Sequence, residues 1–423
     1  MNTNKQRLFT IPLLVAALGY FVDIYDLLLF SIIRVPSLKN LGLTDAQITT
    51  DGENIISIQM IGLLLGGIFW GIIGDKKGRL SVLFGSILLY SVANICNGFV
   101  HTVEQYAIIR FIAGLGLAGE LGAGITLVSE LASKEKRGVA TSLVAGIGLL
   151  GAVVAFLVKQ EFVKPDNTGW QTCYFIGGGL GILLLLLRIS VFESGMFQRV
   201  KETGVQRGNF FMLFNKGERF RRYLISILIG LPTWYVIGVL ITFSKEFGAA
   251  MQISEPIDAG KAVMFAYMGI SVGDIAIGLL SQYLKSRKKA LYIFLSLAII
   301  FITLFFTIQH NGSAQTMYLL CIALGFSMGY WAIFVTIGAE QFGTNLRATA
   351  ATTIPNFVRG TVPLIILSFK CLRTTFAQHS FSADSSYLVS AQIIGVLVIV
   401  IGLWATISLQ ETFGKDLNFV EIS

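Results

Sequence analysis

Charge is scarce in this sequence. Asp, Glu, Lys and Arg make up 13% of its 423 residues, about half the share of a soluble globular chain. Water is therefore the wrong solvent for most of its surface, which argues against a soluble enzyme. Histidine is scarcer still: His101, His310 and His379 fall near expected outer helix ends and have no metal-ligand spacing. The four cysteines, Cys96, Cys173, Cys321 and Cys371, lie in or beside apolar stretches without the pattern of a metal site or a disulfide framework. They read as buried bystanders. There is no P-loop, no His/Cys/acid cluster and no nucleophile–base spacing, so the chain reads as a non-enzyme without metal or cofactor.

What is abundant is apolar. Hydrophobic residues make 54% of the chain, with 32 Phe and 45 Gly, a composition that fits lipid-facing bulk and close helix packing. Twelve runs are long enough to cross a bilayer as helices, at residues 9–33, 54–74, 80–100, 104–127, 139–158, 171–190, 223–244, 261–282, 290–308, 315–338, 349–370 and 387–409. None alternates like a barrel strand. The first run carries Asp23 and Asp26 and has no small-residue cleavage site, so it reads as a span and not as a removed signal peptide. The net charge of +8 is a matter of topology. With the N-terminus in the cytoplasm, 22 of the 32 Lys and Arg residues lie on the cytoplasmic side and eight outside, with Arg110 and Arg359 inside spans. The positive-inside rule then puts both termini in the cytoplasm and makes nucleic acid an unneeded partner.

The chain is written twice. Gly71-Ile-Ile-Gly-Asp75-Lys-Lys-Gly-Arg79 after run 2 is echoed by Gly278-Leu-Leu-Ser-Gln282-Tyr-Leu-Lys-Ser-Arg287 after run 8, 207 residues on. Glu130…Arg137 after run 4 is echoed by Glu340…Arg347 after run 10, 210 residues on. Phe192-Glu193-Ser194 and Gln410-Glu411-Thr412 form a weaker third pair. Duplication at this offset predicts an N-terminal six-helix bundle over 1–190, a cytoplasmic linker over 191–221, a second bundle over 222–410 and a tail over 411–423. A solute site then lies between the repeats near the midplane.

These motifs resemble those of the major facilitator superfamily over essentially the whole chain. Gly71–Arg79 is similar to its loop between helices 2 and 3, and Arg110-x-x-x-Gly114-x-Gly116 to its helix 4 motif. Glu130…Arg137, Glu340…Arg347 and Glu411-Thr412 resemble the cytoplasmic motifs of its sugar and metabolite symporters. The resemblance implies an all-α membrane protein of two pseudo-symmetric bundles. It also implies gating roles for Gly71, Asp75, Arg79, Glu130, Arg137, Glu340 and Arg347, with Asp75 tying the bundles together. Gln282 stands where the second repeat would carry the acid, so a matching tie there is expected to be weaker. Val22-Asp23-Ile-Tyr-Asp26 resembles the Asp-Gly-x-Asp segment of aromatic-acid, phosphate and related metabolite–proton symporters, with Ile24 in place of Gly. Gly114–Glu120 resembles the helix 4 segment of that branch, and Glu120 has its counterpart there. The same glycines spell Gly-x-Gly-x-x-Gly, but no strand precedes them, and close helix packing is the expected role.

Ionisable residues inside a bilayer are costly and mark function by default. Asp23 and Asp26, three apart, share one side of helix 1. At about 1.5 Å per residue, Asp23 and Arg110 both sit roughly 21 Å above the inner boundary. Asp23, Asp26, Arg110 and Glu120 are therefore candidates for proton coupling, the alternative being a permanent ion pair between helices 1 and 4. Arg359 falls near the midplane of helix 11, with Asn356 on its face. Its planar fork suits a carboxylate or phosphate, and the alternative is a pair with Asp274, which is a gating candidate on helix 8. Trp234, Tyr235, Tyr330 and Trp331 are candidate stacking partners for a solute, with plain packing as the alternative. These features predict a monomeric inner-membrane transporter in which a proton gradient drives uptake of a small anionic metabolite. The alternatives are a proton-coupled exporter, disfavoured by a helix 5 without the antiporters' Gly-Pro, a sugar or amino-acid symporter, an uncoupled facilitator, and, more remotely, a membrane enzyme or sensor.

Overall fold

The structure is a computed structural model, which describes residues 11–131, 137–187, 208–308, 312–378 and 382–421. Among these residues it is all helix and connection, with no strand. Twelve helices are long and apolar enough to cross a membrane: α1 Leu13–Asn40, α2 Asp45–Lys77, α3 Arg79–Asn97, α4 Val103–Glu130, α5 Arg137–Phe162, α6 Trp170–Leu187, α7 Gly217–Ile241, α8 Ala259–Leu284, α9 Arg287–Thr307, α10 Ala314–Glu340, α11 Arg347–Gln378 and α12 Ala383–Ser408. The chain is thus a multi-pass membrane protein. Most of the expected linker, including Phe192–Ser194, lies outside the described residues. What is described of it is a short turn of 3₁₀ helix at Phe210–Leu213 and the start of α7 at Gly217.

Local chemistry sets the helix starts. Thr44 and Gln47 form a reciprocal capping box at α2. Asp258, Ser313 and Ser382 cap α8, α10 and α12 with side-chain oxygens. Five of the described spans are interrupted, and four of the interruptions repeat. α4 breaks after Leu117 and α10 after Met328; α5 breaks at Leu150 and α11 at Thr361. Each pair is separated by 211 residues, so the duplication seen in the motifs recurs in the backbone. α7 is further divided at Gly230 and ends in a π-helical turn, Val236–Ile241.

The two halves, α1–α6 and α7–α12, meet chiefly where α2 runs along α11 and α5 along α8. Close backbone approach needs small residues there. A Cβ on Gly71 would lie 3.0 Å from Thr349 Cα on α11. Within the first half, Gly114 lies against the Gln59 carbonyl of α2 and Gly116 against Tyr90 of α3, the packing role expected of the Gly-x-Gly-x-x-Gly run.

Candidate functional site

Arg359 stands at the centre of the molecule. The break in α11 at Thr361 follows it by two residues, and its side chain, 1% exposed, is aimed at the seam. Its guanidinium lies 5.6 Å from the ring centroids of both Trp234 and Trp331. Nη1 donates to Asn356 Oδ1 at 3.0 Å, while Nε has no hydrogen-bond partner among the described residues. Asn356 is itself fixed, donating to Thr352 O and, across the seam, to Ala118 O at the break in α4. Tyr20, Thr233, Trp234, Tyr267, Trp331 and Arg359, drawn from both halves, line a cavity of about 10 Å³, room for about one water.

The acids of α1 look in two directions. Asp23 is fully buried, and Tyr20 and Tyr267 lie within electrostatic reach of both Asp23 and Arg359. Asp26, also fully buried, faces the inside of the first half, with Arg110 and Asn94 near it and Gly177 of α6 against its Oδ1. Arg110 donates to Asn94 Oδ1 and to the Asp26 carbonyl, each at 3.3 Å, and lies 5.5 Å from the Tyr174 ring. Arg110, expected beside Asp23 from the depth match, has Asp26 within electrostatic reach. A three-residue step turns a helix 60° short of a full turn, enough to send one acid to the seam and the other into the bundle.

Other expected residues are placed elsewhere. Asp274 does not meet Arg359. Its Oδ1 accepts from the Ala332 amide at 2.9 Å, an N–H left orphaned where α10 restarts, so it sits deep in the second half and apart from the cytoplasmic ties. The Tyr235 hydroxyl donates to Ala391 O on α12 and Tyr330 to Ile229 O on α7; neither lines the central cavity. Glu120, 1% exposed, opens the second part of α4.

At the end expected to face the cytoplasm the halves are tied by a two-fold pattern. Glu130 Oε1 accepts from Arg79 at 2.8 Å in its own half and from Arg347 at 3.0 Å in the other. Glu340 Oε1 lies 3.1 Å from Arg287 in its own half and 3.5 Å from Arg137 in the other. Asp75 accepts the Ala348 and Thr349 amides at 3.1 and 2.8 Å, capping α11 across the seam. Its repeat counterpart, Gln282, has a buried Oε1 with no hydrogen-bond partner among the described residues. The tail is laid over these ties. Thr412 donates to Glu340, Lys415 O accepts from Arg137, Leu417 O from Arg347, and Glu421 pairs with Arg219 and Arg222. Burial works against the charge of Glu411, yet the Ser286 hydroxyl and the Phe413, Arg287 and Lys288 amides outweigh it, holding the carboxyl below the usual glutamate range.

The outer end is closed as well, by residues that sequence reading treated as topogenic charges or passed over. Arg34 Nη2 donates to both carboxylate oxygens of Glu246, at 2.9 and 3.2 Å. Lys370 meets buried Glu53 at 2.9 Å, and Lys159 meets Asp258 at 2.6 Å. Each pair joins one half to the other. With both ends shut over a nearly filled cavity, the arrangement is an occluded one.

Residues 16–365 match the family model of the Major Facilitator Superfamily. The chain is 25% identical over 342 residues to a probable 4-methylmuconolactone transporter of Cupriavidus pinatubonensis, covering 78% of this chain and 76% of the relative. It is 27% identical over 378 residues to a niacin transporter of Acinetobacter baylyi, covering 80% and 81%. Its fold is similar to that of a proton:xylose symporter solved with a bromo-deoxyglucose bound, with a TM-score of 0.73 at 17% identity over 96% of this chain and 97% of the other.

Proposed function

The chain belongs to the major facilitator superfamily, and on that premise we propose that it imports a small organic anion together with protons by alternating access. It is a transporter and not an enzyme. The observation that carries the anionic reading is Arg359: a cation buried at the seam, beside two indole rings that meet edge to face, with donor capacity its neighbours do not use. A small carboxylate suits such a place, its oxygens on the guanidinium and its body against an indole ring once the cavity opens. Niacin, for which one relative is named, is a solute of this kind.

Coupling follows from charge. Tyr20 and Tyr267 each lie within electrostatic reach of both Asp23 and Arg359, and in this reading an anion arriving at Arg359 weakens the cation's hold on Asp23, which then takes up a proton. Asp26 beside Arg110 is a second proton site of the same helix. Once anion and proton have neutralised the centre, the outer ties re-form and the inner ones release. The moving bodies are residues 1–190 and 222–410, joined by 191–221, with the 411–423 tail and both termini in the cytoplasm of a cell whose inner membrane holds the protein. Driving force comes from the proton gradient, and a monomer contains the whole path.

The test is uptake into proteoliposomes of labelled nicotinate, benzoate, an aliphatic monocarboxylate, xylose and a neutral amino acid, with and without an inward proton gradient. Gradient-dependent accumulation of a carboxylate supports the proposal. Accumulation of xylose alone, or indifference to the gradient, contradicts it.

A further inference from the structure

A second cavity, of about 570 Å³, opens on the outer side of the seam and is lined by Lys39, Lys159, Lys164, Lys245 and Asp258 among others. Four cations face one carboxylate in its lining. Asp45 stands at its edge, 3.5 Å from Lys39 and 3.2 Å from Lys245, and Asp166 lies in the field of Lys164, so positive charge still prevails. That concentration is unexpected where few Lys and Arg are placed outside: half of the eight outer cations meet in one cavity.

Two of the four also join the halves: Lys245 meets Asp45 of α2 at 3.2 Å as an exposed pair, and Lys159 makes the closer tie. Lys159, at the outer end of α5, donates to both oxygens of Asp258 at 2.9 and 2.6 Å. Asp258 belongs to the other half, where it caps α8 through the Gly260 and Lys261 amides. The pair therefore bridges the seam, and its cation faces the space in which the other three lysines converge.

We infer that this cavity is an antechamber for small carboxylates, and that an anion held there exchanges with Asp258 for Lys159 and so unlatches the outer gate. The inference rests on the anionic reading of the central site. It gives the four lysines two separable tasks. Lys39 and Lys164 gather the anion from dilute solution by their summed field, an effect that salt screens, while Lys245 adds to that field from its tie to Asp45. Lys159 hands its charge from Asp258 to the incoming carboxylate, so that the gate opens in the presence of solute.

The experiment measures initial uptake of labelled nicotinate and, in parallel, labelled benzoate, by the full chain in proteoliposomes, at roughly 0.02 M and 0.3 M salt. Lys39→Gln with Lys164→Gln is expected to raise KM about three- to tenfold at low salt with little change in maximal rate, and the difference closes at high salt. Asp258→Asn and Lys159→Gln both break the latch, and Asn still caps α8. The inference predicts opposite shifts: Asp258→Asn lowers KM by freeing a cation, whereas Lys159→Gln raises it. A latch without an anion site would move both the same way, which overturns the inference. So does a KM unmoved by the double lysine variant while the wild type carries either carboxylate; the central reading then stands without the antechamber. Wild-type transport of neither removes the central reading and this inference together.

Discussion

Arg359 carries more of the argument than any other side chain. A guanidinium beside two indoles is held by cation–π attraction, and replacing it with an ammonium keeps the charge but loses the fork. Arg359→Lys should weaken carboxylate binding roughly ten- to a hundredfold, the loss of one charge-assisted hydrogen bond, read by quenching of Trp234 and Trp331 fluorescence on titration. Unchanged affinity would make Arg359 structural. The two acids of α1 separate on a different measurement. Asp23→Asn and Asp26→Asn should each abolish gradient-driven accumulation while leaving part of anion exchange. Only Asp23→Asn should also tighten anion binding, because on the proposed coupling Asp23 competes for Arg359, whereas Asp26 has Arg110 beside it. Full accumulation by both variants would remove α1 from coupling. Sequence reading placed Arg359, Asn356, Trp234 and Trp331 on the right spans, since a charge in an apolar run is conspicuous. It did not find Tyr20 or Tyr267, because a tyrosine in a membrane helix is unremarked until the helix facing it is known.

Helices and tail set which end is open. Buried ion pairs cost desolvation and are weak evidence for stability; those joining the halves here act by favouring one arrangement over another. Asp75 caps α11 with two amide contacts, a helix-terminus interaction of roughly 0.3–2 kcal/mol. Asp75→Ala should therefore shift the population toward the cytoplasm-open form, seen as faster modification of a cysteine placed at Ser142 by a thiol reagent applied from the cytoplasmic side. Deleting residues 412–423 should do the same more strongly, because it removes the partners of Glu340, Arg137, Arg347, Arg219 and Arg222 at once. No change in labelling would mean that the tail rests on the gate without holding it. Much of this network was legible: a Glu-to-Arg spacing of seven, written twice 210 residues apart, marks residues that swap partners between repeats. Arg287 stands 208 residues after Arg79, close to the same offset. The outer ties were not. Lys159 and Lys370, like Arg34 and Lys245, stand 211 residues apart, but no motif surrounds them, and a single charge at a helix end looks topogenic until its partner is in view.

At the scale of the molecule, hydropathy and duplication sufficed for twelve spans and two halves, because apolar length and offset are properties of the chain alone. The span ends were less legible. α2 begins at Asp45 where the apolar run begins at 54, since a capped helix continues past the hydrocarbon into water. The closed arrangement was not legible at all, as it depends on which charges meet across the seam. Spin labels on the outer ends of α1 and α7 should report short distances without solute and a longer population with carboxylate present at low outer salt. The most direct test of the account is to record luminal pH in proteoliposomes with no starting gradient while labelled nicotinate or benzoate is added outside. The account predicts luminal acidification in step with anion entry in the wild type, and entry without acidification in Asp23→Asn. Anion entry in the wild type with no change in luminal pH would contradict it.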